Sequence, residues 1–400
     1  MTPERERVSP RTWVLLGDKR GDNGQVDTIV EALGWPVERR FIQPLPQWVY
    51  GKPRFEPTLS HLDPERSDPL TPPWPELIIT SGRRPSMAAL WVRRQSGGRT
   101  RLVLVGKPSG YLRDFDLIIA SSENQLPPFA NVVTTVLPFM RVNEAAVRAA
   151  AQAWAARLDA LPRPLVAILV GGETNPFVMN AKVAHRLVAQ AQRVLDAGGT
   201  PWITTSRRTT DDVVDVLRRD LPPGAHLFAW SAQATPDDNP YLALLGSADA
   251  FIVTADSISM QVEVLKMGRP LVIFPLPAGR FGAPDLWRRR LATWLNNPAG
   301  RGWLSRLRRA AARGLYRIDR IGLVSVTRDF QAFHRGLVAR GLAVWAGEPA
   351  GQSGAEIPDD LSRVLRRIRA LRPVGSDIGH DPGDTRIAAS AATEKTSNEA

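Results

Sequence analysis

The chain has 400 residues, 43% of them apolar, no cysteine, and a formal net charge of +12 carried almost wholly by arginine, since Lys stands at only six positions. This length exceeds what one core usually grows to, so two α/β-sized domains and a tail are expected, and the missing thiols exclude disulfides, thiolate catalysis and thiolate metal sites. No apolar run reaches the length of a membrane span, and Met1 to Pro10 does not read as a signal peptide, so a soluble cytoplasmic protein is expected.

Trp13 to Leu16 makes a short strand ending at the glycine-rich loop Gly17-Asp18-Lys19-Arg20-Gly21-Asp22-Asn23-Gly24, and Gln25 to Leu33 has helical spacing that stops at Gly34. The loop matches neither a P-loop nor the dinucleotide fingerprint, because its lysine and glycines are wrongly spaced. Val37 to Ile42 reads as a second strand. The Pro-rich excursion from Pro44 to Pro75 is long enough to be a surface insertion over a site or partner. Leu77 to Thr80 is a buried-type strand running into Ser81-Gly82-Arg83-Arg84-Pro85-Ser86, followed by a helix from Met87 to Arg94. Leu102 to Val105, Leu117 to Ala120 and Val132 to Thr135 complete this half. Strands alternating with helices imply a parallel sheet covered on both faces, with ligands beyond the carboxyl ends of the strands, where both loops fall.

Asn143 to Leu161 reads as an alanine-rich helix connecting the halves, which places the N-terminal unit at 1–142, the connector at 143–163, a second unit at 164–345 and a tail at 346–400. The pattern then restarts. Leu165 to Val170, a strand, meets Gly171-Gly172-Glu173-Thr174-Asn175, and Ala181 to Ala197 is a helix. Trp202 to Thr205 meets Ser206-Arg207-Arg208-Thr209-Thr210 before a helix from Asp211 to Arg219. His226 to Trp230 is a strand, and Asn239-Pro240-Tyr241 opens a short helix at Leu242 to Gly246. The expected fold class is therefore α/β, two Rossmann-like doubly wound domains facing a central cleft.

Phe251 to Phe274 spells strand, turn, helix and strand. Its turn holds Ala255, Asp256, Ser257 and Ser259, and Glu263 sits further along the helix. Unpaired N–H groups and the positive end of the dipole converge at such a helix start and can hold a diphosphate, while a carboxylate beyond it can accept from a ribose diol. The same residues are also ordinary caps. Arg207 and Arg208, like Arg83 and Arg84, suit bidentate phosphate contacts or are simply solvated. The five histidines are scattered, no GxSxG elbow exists, and no nucleic-acid module or aromatic-basic interleaving is found, so metal centres, hydrolase triads and nucleic-acid partners are not expected.

The succession G-D-K-R-G-D-N-G-Q from Gly17, S-G-R-R from Ser81, G-G-E-T from Gly171, T-S-R-R-T from Thr205, N-P-Y from Asn239 and V-T-A-D-S-I-S-M-Q-V-E from Val253 resembles the mitochondrial-fission Elm family over roughly residues 12 to 300. The resemblance implies a GT-B-like fold and metal-independent glycosyl transfer from a nucleotide-diphosphate sugar, with no cofactor. By it, Glu263 matches the acid that holds the donor ribose, and Ser257 with Ser259 the helix start that holds the diphosphate. Asp22 stands where the family usually has His, so Asp18 or Asp22 is the expected catalytic base. The expected substrate contacts are Gly21, Gly24, Gln25, Arg83, Arg84, Gly171, Gly172, Ser206, Arg207, Arg208, Thr209, Asn239, Tyr241, Asp256, Ser257, Ser259, Met260 and Glu263.

At 359–372, Leu361, Val364, Leu365, Ile368 and Leu371 recur at helical spacing among arginines. Such a helix packs on its own protein or lies on an anionic membrane, the latter suiting a lipid-linked or cell-envelope acceptor and a peripheral place on the inner membrane. Gly375 to Ala400 reads as disordered. Two other readings stay open: a non-catalytic scaffold of GT-B shape, as the fission-factor name suggests, and a nucleotide-sugar epimerase.

Overall fold

The computed structural model describes residues 9–48, 56–108, 110–279, 289–290, 294, 302–318, 328–348 and 355–371. In the first half, β1 (Thr12–Leu16), β2 (Val37–Phe41), β3 (Leu77–Ser81), β4 (Arg101–Val105), β5 (Leu117–Ser121) and β6 (Val132–Thr135) form one parallel sheet in the order β2-β1-β3-β4-β5-β6. Strands β1, β3 and β5 are buried at every residue, as expected of a parallel sheet with helices on both faces. Side chains alternate between two cores. Trp13, Leu15, Ile78, Leu102 and Ile118 lie on one face with Met87, and Val14, Leu16, Ile79, Val103 and Ile119 on the other with Val26 and Ile29.

The second half repeats the plan. Strands β7 (Leu165–Val170), β8 (Thr200–Thr205), β9 (His226–Phe228), β10 (Ala250–Thr254), β11 (Leu271–Phe274) and β12 (Val344–Trp345) pair in parallel in the order β12-β11-β10-β7-β8-β9. In chain order this is the doubly wound arrangement, and its topological switch point falls between β7 and β10. In the first sheet the switch lies between β1 and β3.

Two helices start earlier than the spacing suggests. Helix α1 spans Arg20–Leu33, so Gly21, Asp22, Gly24 and Gln25 lie inside it instead of in a loop. Helical glycine is costly. Here the Asn23 amide clasps the turn before the helix, donating to Gly17 O at 2.9 Å and accepting from Gly17 N at 3.2 Å. Helix α2 spans Arg83–Gln95, drawing Arg83 and Arg84 into its first turn. Pro85 is tolerated there because the N–H it lacks would have no helical partner.

The connector helix α3 (Glu144–Leu158) is capped by Asn143, whose side chain accepts from Ala146 N at 3.0 Å. It packs on α6 (Tyr241–Ser247), where a Cβ on Gly246 would lie 2.8 Å from Ala151 Cβ. Further helices among the described residues are α4 (Ala181–Asp196), α5 (Asp211–Asp220), α7 (Ile258–Lys266), α8 (Trp303–Ile318), α9 (Phe330–Val338) and α10 (Asp360–Arg369). The expected disordered end at Gly375 to Ala400 lies outside the described residues.

Helix α10 returns the chain to the first sheet. Val364, Leu365 and Ile368 join Val14, Leu16, Ile29 and Ile79 in one core, and Asp360 accepts from Val136 N at 2.5 Å. The apolar stripe seen in the sequence is thus covered by the protein itself. Ile368 is fully buried, so Ile368→Ala should cost about 2–5 kcal/mol of unfolding free energy. Urea denaturation at constant slope measures this, and a cost below about 1 kcal/mol would mean that α10 is only loosely docked.

His334 on α9 is buried beside Phe333 and Trp345, and its Nε2 has no hydrogen-bond partner among the described residues. Burial, with Arg335 beside it, pushes its pKa from the ordinary 6.5 down to about 3. Between those values the unfolded chain binds a proton that the folded chain refuses, so this contribution is present above about pH 6.5 and is lost as the pH falls toward 3. From pH 7 to pH 5 the wild type should lose about 2 kcal/mol more stability than His334→Leu, as read from urea midpoints at the two pH values.

Candidate functional site

At the second switch point the β7 and β10 turns meet through one carboxylate. Asp256 is fully buried, and its Oδ2 accepts from Gly172 N at 2.9 Å, Ser257 Oγ at 3.0 Å and Arg208 Nη2 at 3.2 Å. Its Oδ1 accepts from Thr254 Oγ1 at 2.6 Å, and that hydroxyl accepts from Gly171 N at 2.9 Å. A Cβ on Gly171 would lie 2.1 Å from Asp256 Oδ2, and one on Gly172 would lie 2.1 Å from Arg208 O. The glycine pair is therefore required by the close approach of the β8 and β10 turns. Ser206 Oγ and Thr209 Oγ1 both donate to Gly171 O, at 2.8 and 2.5 Å, fixing the third turn against it.

This network has a consequence for α7. Because the Ser257 hydroxyl turns to Asp256, it does not cap the helix. The N–H groups of Ile258, Ser259 and Met260 have no partner among the described residues. Ser259 is exposed and Met260 half-buried. Arg207 is exposed with no hydrogen-bond or ion-pair partner among the described residues, whereas Arg208 also donates to Thr174 Oγ1.

Further along α7, half-buried Glu263 accepts a hydrogen bond from the Tyr241 phenol. Burial raises the pKa of Glu263, partly offset by that bond. Burial, and the neighbouring carboxylate, push Tyr241 well above the usual phenol range. Asn239 Oδ1 accepts from Tyr241 N at 3.0 Å. Both line a cavity of about 420 Å³ with Trp154, Arg157 and Asp237, between α3 and the turn before α6.

The first switch point gathers a separate group. Arg84 pairs with Asp18 at 3.3 Å and donates from Nε to Trp48 O at 3.1 Å. Gly82 has a left-handed φ of 87°, and Asp22 Oδ2 lies 3.4 Å from where its Cβ would be. Half-buried Arg83 is held below the usual guanidinium range by burial and by Arg84. Buried His61, from the Pro-rich excursion, meets Arg84 O through Nε2 at 3.3 Å, and burial lowers its pKa. Gly21 is exposed, while Gly24 and Gln25 are half-buried on α1. The expected site residues thus form two groups, one beyond each switch point.

One polar residue escaped the sequence reading. Glu123 follows β5 directly, is fully buried, and accepts from Ser121 Oγ at 2.5 Å, while its other oxygen has no hydrogen-bond partner among the described residues. Burial raises its pKa. Its backbone oxygen accepts from Asp329 N at 2.7 Å, tying the first half to the start of α9. Ser-Ser-Glu-Asn at a strand's carboxyl end was the available signal.

Residues 20–295 match the family described as Mitochondrial fission ELM1. The chain belongs to that family. Among relatives of this ELM1-family chain, the Mitochondrial fission protein ELM1 of Arabidopsis thaliana is 28% identical over 221 residues, which are 50% of this chain and 51% of the plant protein. The chain therefore spans about half the length of that relative. The Uncharacterized protein RP120 of Rickettsia prowazekii (strain Madrid E) is 24% identical over 301 residues, 66% of this chain and 83% of that one. Among solved structures, a UDP-GlcNAc 2-epimerase from Neisseria meningitidis bound to UDP-GlcNAc shares 10% identity at a TM-score of 0.43, covering 90% of this ELM1-family chain and 100% of its own. No helix among the described residues is long and apolar enough to cross a membrane.

Proposed function

We propose that this chain transfers a glycosyl group from a nucleoside-diphosphate sugar to an acceptor hydroxyl. The start of α7 carries the reading. Three backbone N–H groups without a partner among the described residues lie at the switch point of a doubly wound sheet, with Arg207 exposed nearby and Glu263 further along the same helix. Such a helix start favours a diphosphate, and a carboxylate beyond it suits a ribose diol. Asp256 holds this geometry by accepting from Gly172 N directly and by accepting from the Thr254 hydroxyl to which Gly171 N donates, which makes Asp256, Gly171 and Gly172 positioning residues in this reading.

In the reaction, the bond between the anomeric carbon and the diphosphate oxygen breaks, and its electron pair leaves with the diphosphate. The acceptor oxygen forms the new bond and gives its proton to a carboxylate. Asp22 is the better candidate, because Asp18 is already paired with Arg84. Donors aimed at the departing diphosphate bind it more tightly as its charge grows, which lowers the barrier. An acceptor carried on a lipid or belonging to the cell envelope agrees with the chain's positive charge.

Calorimetric titration with uridine, guanosine and thymidine diphosphates, on the wild type and on Glu263→Ala, tests the reading. One diphosphate should bind the wild type and bind the variant more weakly. If none binds, the scaffold reading replaces this one, and product analysis after incubation with nucleotide sugars separates transfer from epimerisation.

A further inference from the structure

Helix α8 turns its apolar stripe outward. Trp303 is 72% exposed, Leu304 57% and Leu307 60%, and Ala310 and Ala311 continue the exposed line. The spacing 303, 304, 307, 310, 311 places all five on one face of the helix. Helix α10 of the same chain buries the equivalent stripe in a core. Beside α8, Trp294 is 54% exposed, with the Arg308 guanidinium 4.2 Å from its ring centre. Arg306, between Leu304 and Leu307 in sequence, is exposed. From 286 to 318 the sequence holds nine arginines and three tryptophans, Trp287, Trp294 and Trp303, without one Asp, Glu or Lys.

We propose that α8 is an interfacial helix that lays Trp303, Leu304 and Leu307 into an anionic lipid surface. A straight apolar stripe set in an arginine-rich segment is the pattern that binds in the plane of a membrane. Tryptophan is enriched at headgroup depth, where its ring is amphipathic. Arginines close to an anionic leaflet are attracted to its charge. A second copy of this chain is a poor occupant, because its own arginine-rich segment would face this one. The proposal holds or fails whether or not the chain binds nucleotides.

Flotation of the full chain with vesicles of phosphatidylcholine alone, and of an equimolar mixture with phosphatidylglycerol, tests it. The wild type should float only with the anionic vesicles and be released by high salt. The combined Trp303→Ser, Leu304→Ser and Leu307→Ser variant should stay behind, with wild-type circular dichroism because these side chains are exposed. Arg306→Gln should weaken partitioning by about fivefold, the effect of one arginine near such a surface. As a check independent of the triple variant's folding, brominated phosphatidylglycerol should quench wild-type fluorescence more than that of Trp303→Phe. The proposal is overturned if the wild type ignores anionic vesicles at low salt, or if the triple variant floats equally. It is equally overturned if the substitutions only dissolve an oligomer, or if the wild type binds polyglutamate but no vesicle.

Discussion

Asp256→Ala should lower the unfolding free energy by about 3 kcal/mol, among the largest single-residue losses expected in this chain. Little of this comes from the ion pair, since Arg208 is 46% exposed and can turn to water. The cost lies with the groups that cannot. Gly172 N–H and the hydroxyls of Thr254 and Ser257 all donate to the buried carboxylate, and each donor left unsatisfied costs about 1 kcal/mol or more. Asp256→Asn should lose less, because its remaining oxygen still accepts from Gly172 while its amide must crowd a hydroxyl that has to reorient. Urea midpoints at unchanged slope provide the comparison. Equal losses for Ala and Asn would show that charge, and not the number of acceptors, holds the turns together.

Ser259→Asp should separate stability from binding. The first turn of α7 contains no acidic residue, so an aspartate on its exposed surface should stabilise the helix by about 0.3–1 kcal/mol. Under the proposed function the same carboxylate would stand beside a bound diphosphate, and two unit charges about 5 Å apart repel appreciably at a protein surface. At an effective dielectric constant near 20, that repulsion is about 3 kcal/mol, a loss of affinity on the order of 100-fold. Ser259→Asn controls for size without charge. A melting temperature that rises together with an unchanged calorimetric affinity would remove the start of α7 from the donor site. A fall in both would instead point to local damage.

The buried strands were legible because a parallel strand covered on both faces must be apolar at every position, and Leu165 to Val170 could hardly be anything else. The alternation of such strands with helices sufficed for two sheets, since crossovers between parallel strands have few arrangements. Helix starts were less legible. Glycines and a proline at Gly21, Gly24 and Pro85 read as loop by their own preferences, while Asn23 reaching Gly17 helps to secure the early start of α1. The two-residue β12 offers no pattern of its own and exists through pairing with β11.

Residue spacing in the sequence showed the apolar stripe at 361–368, because it fixes which side chains share a helix face, whereas the stripe at 303–311 came into view only on the folded helix. Spacing could not determine that one stripe enters the core of the first sheet while the other faces outward. That depends on residues such as Val14 and Ile79, more than 280 positions away from the stripe they cover. Asp256 shows the same division on a smaller scale. Its place in a strand-to-helix turn was evident from the sequence. The direction of its carboxylate, inward to Gly172 and Thr254, follows from how closely the β7 and β10 turns approach. Local preferences depend on neighbours along the chain, whereas the satisfaction of a buried polar group depends on whatever the fold brings within about 3 Å of it.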